Sequence, residues 1–195
     1  MVKKLSPYCQ LLIIIAMMLQ GCTGHKGPML LKYDDGKMDE SAFSPNMAHA
    51  VHFTKPAGDY AIKGVRFFGR REGAGQGNDR RIVLTICDKD AQPISEYSLF
   101  QSIADTNSEK WRNFNVNPEI LCPDDFWVFI DTNSIESSSI LMGMDYSVKV
   151  SHSGLGDPGS IPAEVDRLFD WMIRVELEKL DKEGLERLTG GSQEQ

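Results

Sequence analysis

The sequence predicts an all-β protein, built as a sandwich of two antiparallel sheets. From Leu30 onward the chain consists of short segments that are rich in aromatic and β-branched residues, the residue types that favour strands. Clusters of Gly, Pro, Asn and Asp separate these segments and are typical of turns. Roughly nine or ten strands with turns at this spacing are typical of a two-sheet sandwich.

The predicted strands follow one another along most of the chain. Tyr60–Gly69 and Asp125–Asp131 carry large apolar residues on both faces, which indicates strands that are covered on both sides. Because Glu72–Asp79 (EGAGQGND) is too rich in glycine for regular structure, we expect Tyr60–Gly69 and the next strand, Arg80–Cys87, to pair as a long hairpin. The other predicted strands are Ala48–Thr54, Ile94–Leu99, Lys110–Val116, Ser138–Met144 and Tyr146–His152.

The region Val165–Leu188 fits two patterns. Its apolar residues are spaced as on one face of a helix. Between Asp170 and Glu178, however, apolar and polar residues alternate with a period of two, as in a half-buried strand. We favour a strand over Asp170–Glu178, followed by a short helical turn or a frayed tail from Asp181.

Several segments, taken in order, resemble a known family of domains. They are Tyr33–Gly36 (YDDG), Ala48–Phe53 (AHAVHF), Gly64–Gly69 (GVRFFG), Phe126–Asp131 (FWVFID) and Asp170–Val175 (DWMIRV). Together they resemble a jelly-roll-like β-sandwich domain of exported bacterial proteins, which is sometimes appended to protease or transglutaminase-like modules. The resemblance implies a jelly-roll-like antiparallel sandwich and a strand at Trp171–Val175. It implies no reaction, since the family has no settled biochemical role.

The N-terminus predicts export. Lys3 and Lys4 precede the apolar run Leu11–Leu19, and a charged start followed by a short apolar core is typical of a secretory signal peptide. The run is shorter than the roughly 20 residues that a membrane-spanning helix needs.

The end of this segment, Leu19–Cys22 (LQGC), resembles the lipobox of bacterial lipoproteins. The resemblance implies that the leader is cleaved before Cys22 and that this residue is acylated with chains such as palmitate. Membrane lipid is then a partner, the anchored domain is extracytoplasmic, and Thr23 favours the outer membrane where a cell has two. The chain thus divides into a signal peptide (1–21), a tether (22–29), the sandwich (30–178) and a C-terminal tail that is partly helical or disordered (179–195).

The charge of the chain argues against nucleic-acid binding. Its formal net charge is −7, and removal of Lys3 and Lys4 with the leader makes the mature chain more acidic still. Proteins that bind nucleic acids gain most of their affinity by neutralising phosphates. We therefore expect the acyl chains, rather than surface charge, to hold the protein at the membrane.

Two cysteines remain after Cys9 leaves with the leader and Cys22 is acylated. Cys87 and Cys122 would lie in an oxidising compartment, where a disulfide between them would contribute on the order of 3–4 kcal/mol. The alternative is two separate buried thiols, which pack as small apolar side chains. Neither cysteine belongs to a Cys-x-x-Cys pair, so neither redox catalysis nor a structural zinc site is indicated.

The histidines and serines indicate no enzyme. His49 and His52 are three residues apart, which on a strand places them on opposite faces. His152 lies between two serines and His25 lies in the tether, and we expect solvated or edge histidines throughout. No serine has the strand–turn–helix surroundings of a nucleophile elbow, so we expect a non-catalytic protein.

A weak calcium site is indicated at Asp34, Asp35 and Asp39, since calcium takes several oxygen ligands. The alternative is a plain turn, because Asp-Asp-Gly is also a turn sequence. No EF-hand spacing is present, and we expect no other metal and no other cofactor.

Four arginines predict an anion site. If the long hairpin forms, Arg70, Arg71, Arg80 and Arg81 meet at one end of the sandwich, where their planar guanidinium groups suit a sulfate, phosphate or uronate group. The alternative is that they only neutralise neighbouring acids and discourage edge-to-edge pairing of the sheet.

Aromatic side chains that reach the surface are candidates for stacking on sugars. Tyr97, Trp111 and Tyr146 fall near the ends of predicted strands, whereas Trp127 and Trp171 lie within apolar strands and are expected in the core. The sequence thus predicts a membrane-anchored lipoprotein whose sandwich binds a glycan or a protein of the cell envelope. The alternatives are a structural subunit of an envelope complex and, third, a hydrolase.

Overall fold

The computed structural model describes residues 28–72, 81–100, 108–133 and 139–190. These residues form antiparallel strands and one short helix, so the predicted all-β sandwich is confirmed. The elements are β1 (Met29–Leu31), β2 (Glu40–Ala42), β3 (Ala48–Thr54), β4 (Tyr60–Glu72), β5 (Arg81–Asp88), β6 (Pro93–Phe100), β7 (Lys110–Leu121), β8 (Asp125–Asp131), β9 (Ser139–Asp145), β10 (Ser153–Gly156), β11 (Ala163–Glu164), β12 (Asp170–Trp171), β13 (Ile173–Lys179) and α1 (Lys182–Gly190).

The strands form two sheets, which we call sheet A and sheet B. Sheet A has seven strands in the order β1-β13-β4-β9-β12, with β2 paired to β9 and β7 paired to β4. Sheet B has six strands in the order β11-β10-β3-β8-β5-β6. Strand β4 organises sheet A, because its 13 residues pair with β7 along one edge and with β13 and then β9 along the other.

The core lies between the two sheets and consists of alternate residues from each strand. Sheet A contributes buried rings from Phe67 and Phe114, and sheet B contributes those of Phe53 and Phe126. Burying one such side chain contributes roughly 1.5–3 kcal/mol relative to leaving it in water. The period-two pattern of the sequence therefore decides which face of each strand turns inward.

The predicted hairpin between Tyr60–Gly69 and Arg80–Cys87 is wrong. Strand β4 belongs to sheet A and β5 belongs to sheet B, where β5 pairs with β6 and β8. Both strands carry apolar inner residues, and the fold buries them by placing the strands in facing sheets rather than side by side. An alternating pattern specifies the buried face of a strand but leaves its neighbours open.

The C-terminal strand is confirmed, with a break at one residue. Strands β12 and β13 cover Asp170–Trp171 and Ile173–Lys179, and α1 follows from Lys182. The predicted strand at Tyr146–His152 is wrong, because these residues form the loop between β9 and β10. The Asp145 carboxylate accepts a hydrogen bond from the Ser147 backbone N–H at 2.7 Å, which turns the chain out of the sheet.

A loop partly covers the outer face of sheet B. It runs between β10 and β11, and its Gly159 N–H donates to the Ala91 carbonyl at 2.8 Å. Gly154 permits the close approach, since a Cβ at this position would lie 2.7 Å from the Pro162 Cβ. Beneath this cover lies a second, smaller apolar cluster on the outer face of the sheet: Ala48, Ala50, Cys87, Ala91 and Phe129.

Candidate functional site

An open groove begins on the outer face of sheet B, where the covering loop leaves Trp127 uncovered. Its first part has a volume of about 270 Å³ and is lined by His52, Lys89, Trp127, His152, Ile161 and Glu164, together with Ser151 and Ser153. A second cavity of about 440 Å³ shares Ser151, Ser153 and Glu164 with the first and continues along Val165–Leu168. We call the two parts together the Trp127 groove.

Trp127 is the aromatic residue of this groove. It lies in β8 directly opposite His52 of β3, and the centroids of the two rings are 4.9 Å apart. The sequence predicts this tryptophan in the core, which is wrong, since its side chain is only partly buried. The next outward-facing residue of β8, Phe129, is fully buried in the small outer cluster. Trp127 packs against that cluster, with its ring centroid 6.3 Å from that of Phe129, and its side chain stays partly exposed.

His52 forms one wall of the groove beside the tryptophan. Burial lowers the pKa of His52, and the nearby His152 lowers it further, whereas Asp125 raises it. The imidazole is therefore neutral near pH 7, so one ring nitrogen donates a hydrogen bond and the other accepts one. Such a ring can donate a hydrogen bond to a ligand hydroxyl or accept one from it.

His152 is held rigidly at the floor of the groove. Its Nδ1 lies 3.1 Å from Oδ2 of Asp170, and its ring stacks on Tyr33 with a centroid distance of 3.6 Å. The Asp170 carboxylate is almost completely buried and also accepts hydrogen bonds from the His152 backbone N–H at 2.6 Å and from the Ser153 hydroxyl at 2.9 Å. The carboxylate thus fixes the orientation of the imidazole, as the partner of an oriented histidine does elsewhere.

The serines on either side of His152 are already engaged. The Ser151 hydroxyl donates to the Phe169 carbonyl at 2.6 Å, and the Ser153 hydroxyl donates to Asp170. Neither hydroxyl is hydrogen-bonded to the imidazole in the part of the chain that the structure describes. A serine nucleophile would need its hydroxyl within hydrogen-bond reach of the base, and that geometry is not formed here.

His49 corrects the expectation of solvated or edge histidines. Its side chain is fully buried in the core, where its ring meets Trp171 edge-on at 4.4 Å. Its Nδ1 lies 3.4 Å from the Ile130 carbonyl, and its Nε2 is buried with no hydrogen-bond partner in the described part of the chain. Burial lowers the pKa of His49 to about 4. The prediction that His49 and His52 lie on opposite faces of one strand is confirmed.

The hairpin from which the four-arginine cluster was predicted does not form, because β4 and β5 lie in different sheets. Arg70 is ion-paired with Glu109 at 3.3 Å and Glu72 at 3.6 Å. Arg81 donates to the Ser98 hydroxyl at 2.7 Å and lies over the Phe100 ring. Arg80 lies outside the described residues. Nε and Nη1 of Arg71 are buried and have no hydrogen-bond partner among the described residues.

The three aspartates of the calcium hypothesis have separate partners. Asp34 is buried and binds the guanidinium of Arg174, with its Oδ2 3.0 Å from Nε. The Asp35 carboxylate accepts from the Lys37 N–H at 2.7 Å, and that of Asp39 accepts from the Tyr146 N–H at 2.8 Å. Among the described residues, no group of three or more acidic, histidine or cysteine side chains is placed to hold a metal. The turn alternative fits these contacts better.

The two cysteines are free thiols, so the disulfide alternative is wrong and the alternative of separate buried thiols describes the structure. Cys87 belongs to the outer cluster of sheet B, whereas Cys122 belongs to the core between the sheets. Burial raises the pKa of each thiol to about 12. Both therefore stay protonated and unreactive at neutral pH.

The aromatic residues that the sequence favoured for sugar stacking are engaged within the protein. The Arg174 guanidinium lies 3.9 Å above the Trp111 ring. The Tyr97 hydroxyl donates to the Pro118 carbonyl at 2.9 Å, and the Tyr146 hydroxyl is hydrogen-bonded to Glu40 at 2.5 Å. Trp171 is buried in the core, as expected.

Sequence reasoning missed Asp170 and Tyr33, the two residues that hold His152. Asp170 begins a short strand beside Trp171, and an acidic residue at this position indicates a solvated strand end. Tyr33 lies in a turn segment that is far from His152 along the chain. The only sequence signal was the position of His152 between two serines. That position does not reveal a carboxylate 18 residues later.

Comparisons with known proteins leave the chain without an assigned family. No protein-family model matches it, and no curated protein does. Within the described residues, no helix is both long enough and apolar enough to cross a bilayer. The predicted leader and Cys22 lie outside the described residues.

Proposed function

We propose that this chain is a membrane-anchored lipoprotein whose non-catalytic sandwich binds a glycan of the cell envelope in the Trp127 groove. The observation that carries the proposal is the partly exposed Trp127 ring, which lies in a long open groove beside charged, hydroxyl and imidazole groups. Aromatic faces stack on the apolar faces of sugar rings, and precisely placed polar groups then fix orientation.

The shape of the groove supports an extended ligand. The two cavities adjoin along Ser151, Ser153 and Glu164, so a chain-like molecule can lie across both. The first part supplies the aromatic ring, and the second part adds Asp166 and Arg167. The floor is rigid because Asp170 and Tyr33 hold His152, and a preformed site loses less entropy on binding.

The location in the envelope rests on the N-terminal sequence. The LQGC segment supports cleavage before Cys22 and acylation of its thiol, which anchors the domain on the extracytoplasmic side of a membrane and, in a cell with two membranes, at the outer one. Mass spectrometry of the processed protein tests this directly. A free thiol at Cys22, or a retained leader, would contradict the anchor without touching the groove.

A protein partner is the second candidate. Val150 and Leu168 line the second part of the groove and are more than three-fifths exposed, at 63% and 62%. Exposed apolar side chains next to a cavity are typical of protein-binding surfaces. A stable partner that co-purifies from detergent-solubilised membranes and is lost in Leu168→Asp would favour a structural subunit of an envelope complex.

The glycan proposal is tested by melting temperature in the presence of a panel of envelope polysaccharides. At ten times its Kd, a ligand that binds only the native state adds about 1.4 kcal/mol, which raises the Tm of a domain of this size by roughly 3–5 °C. We expect Trp127→Leu to abolish the shift. Trp111→Leu is the matched control, because Trp111 is stacked under Arg174 on the other sheet, and it should keep the shift.

Two outcomes would overturn the proposal. If no polysaccharide raises the melting temperature of the wild-type protein, the groove is not a glycan site. If Trp111→Leu and Trp127→Leu lose the shift equally, the effect comes from general destabilisation. Turnover of an ester or glycoside substrate that is lost in His152→Gln would revive the hydrolase alternative.

A further inference from the structure

Two arginines lie on the inner face of sheet A at the end of the sandwich where β4 ends and β7 and β9 begin. Arg112 of β7 is directly opposite Phe67, and Arg71 of β4 is directly opposite Ile140 of β9. Phe67 and Ile140 are fully buried core residues. Since directly opposite residues of antiparallel strands share a face of the sheet, both arginines are on the core side.

Both arginines have buried nitrogens for which the described residues supply no acceptor. These atoms are Nε and Nη1 of Arg71 and Nε and Nη2 of Arg112. A guanidinium cannot lose its proton in a protein, so it cannot escape burial by becoming neutral. Leaving a buried charged donor without a partner is strongly unfavourable. The arrangement therefore indicates an acceptor that the described chain does not supply.

Nearby arginines show how the chain satisfies a guanidinium where it has a carboxylate to offer. On the outer face of the same sheet, Arg70 binds Glu72 and Glu109, two acidic residues of these strand ends. Arg66 also has a buried unpaired Nε, but its Nη2 is bonded to Glu176. The inner face thus keeps two arginines while the neighbouring carboxylates pair on the outer face.

A glycine separates Phe67 from Arg71 on the inner face of β4. On the inner face of β4 the residue between Phe67 and Arg71 is Gly69, which pairs with Met142 of β9. A Cβ at Gly69 would lie 2.4 Å from the Leu141 carbonyl oxygen, so no other residue fits where β9 approaches β4. Between Phe67 and Arg71, β4 therefore places no side chain on this face, and the Leu141 carbonyl lies where one would begin.

We propose that Arg71 and Arg112 bind an oxyanion, namely a sulfate or phosphate group, at this end of the sandwich. Planar guanidinium groups donate paired hydrogen bonds to such groups, so an oxyanion would supply acceptors that the described residues do not provide for these nitrogens. This site differs from the predicted four-arginine cluster, because it includes Arg112 and leaves out Arg70 and Arg81. It does not depend on the Trp127 groove.

The test measures the melting temperature of the full processed protein in a zwitterionic buffer with added sodium sulfate or phosphate, against sodium chloride at equal ionic strength. We expect both oxyanions to raise the Tm by a few degrees beyond chloride. Arg71→Gln and Arg112→Gln should each weaken the response at least tenfold in anion concentration. Arg81→Gln, an exposed arginine at the same end of the sandwich, is the matched control and should keep the response.

The same variants separate a binding role from a structural one. In the buffer without oxyanion, Arg71→Gln and Arg112→Gln should melt no lower than wild type, because each removes a guanidinium with two buried nitrogens that have no partner among the described residues. A lower Tm in that buffer would show that the arginines have a structural partner and would overturn the proposal. An equal response to chloride, or an equal loss in Arg81→Gln, would also overturn it.

The source of the anion is distinguished by comparing inorganic sulfate with a sulfated or phosphorylated polysaccharide. If the polymer binds more than tenfold tighter per charged group, and Arg71→Gln removes that gain, the ligand is a charged glycan. If both bind equally, the site takes the free ion. Trp127→Leu should leave either response unchanged, so failure of the groove and failure of this site are distinguishable.

Discussion

Trp111 and Trp127 lie on the outer faces of the two sheets and are both partly buried, yet their surroundings differ. Trp111 of sheet A packs edge-on against Phe68, with ring centroids 5.4 Å apart, and is covered by Arg174, whose guanidinium Asp34 holds from the other side. Trp127 of sheet B packs beside the neutral ring of His52, and an open groove adjoins it.

The difference shows that the accessibility of an outer-face tryptophan depends on which side chain covers its ring. Arg174 covers one face of the Trp111 ring through a cation–π contact, so that face is closed to a ligand. Among the described residues, no guanidinium or ammonium group is stacked on Trp127, and Lys89 and Ile161 line the open groove beside it. Sheet A thus uses its outer face for stability, and we propose that sheet B uses its outer face for binding.

The largest expected effect on stability comes from removing the Asp34 carboxylate, which binds the Arg174 guanidinium over Trp111. Asp34→Ala should lower the free energy of unfolding by about 3–5 kcal/mol, because it leaves Arg174 largely buried without its counter-charge. Asp39→Ala, which removes an exposed aspartate of the same segment, should cost about 1 kcal/mol or less. Urea unfolding measures both, and equal losses would contradict the special role of Asp34.

The next largest effect is on the pH dependence of stability and concerns the two histidines of β3. His49 lies in the core, and His52 lines the Trp127 groove. Burial lowers the pKa of His49 to about 4. Between about pH 6.5 and pH 4, this imidazole therefore binds a proton in the unfolded chain but not in the folded chain. The contribution of His49 to the free energy of unfolding is therefore complete above pH 6.5 and is lost as the pH falls towards 4. Between pH 7.5 and 4.5 the free energy of unfolding should fall by about 2–3 kcal/mol for this reason.

We expect His49→Gln to remove this part of the pH dependence, as measured by urea unfolding at the two pH values. His52→Gln, on the opposite face of the same strand, is the control and should reduce the dependence less, because His52 is only partly buried. If both variants keep the wild-type slope, the buried imidazole is not the group that titrates.

The smallest expected effect is the difference in stability between the two tryptophans. Trp111→Leu should destabilise the protein by about 1 kcal/mol more than Trp127→Leu, because only Trp111 loses a cation–π contact and an edge-on aromatic contact that hold the sheet surface. Thermal unfolding in the absence of ligand measures this difference. A larger loss in Trp127→Leu would make Trp127 the structural residue and reverse the comparison.

Much of the strand content was predictable because burial imposes a period of two. The alternation at Asp170–Glu178 was enough to favour a strand over a helix, and β12 and β13 confirm it. The predicted strand at Tyr146–His152 was wrong, because the Asp145 side chain turns the chain at Ser147, an effect that does not show in an apolar pattern. Sheet assignment was not predictable for β4 and β5, since each has an inner face that suits either sheet.

The candidate site was predictable only in pieces. His152 and its serines were visible as candidates, but Asp170 and Tyr33 reach them through pairings of distant segments. Trp127 was assigned to the core because DFWVFID is apolar on both faces, and only the position of the covering loop leaves its ring exposed. In the sequence, Arg112 is a single basic residue of a predicted strand and gives no sign of a site. Only the strand register places it on the core side together with Arg71.

The sequence by itself determined the fold class, the inward face of most strands and the acidity of the chain, because these depend on local periodicity and composition. The tertiary structure decided which strands are neighbours, which tryptophan is open and which charges are paired. These depend on contacts between residues far apart in the chain, such as Asp34 with Arg174 and His152 with Asp170. Local pattern carries no information about such contacts, since any partner of suitable charge or shape would satisfy it.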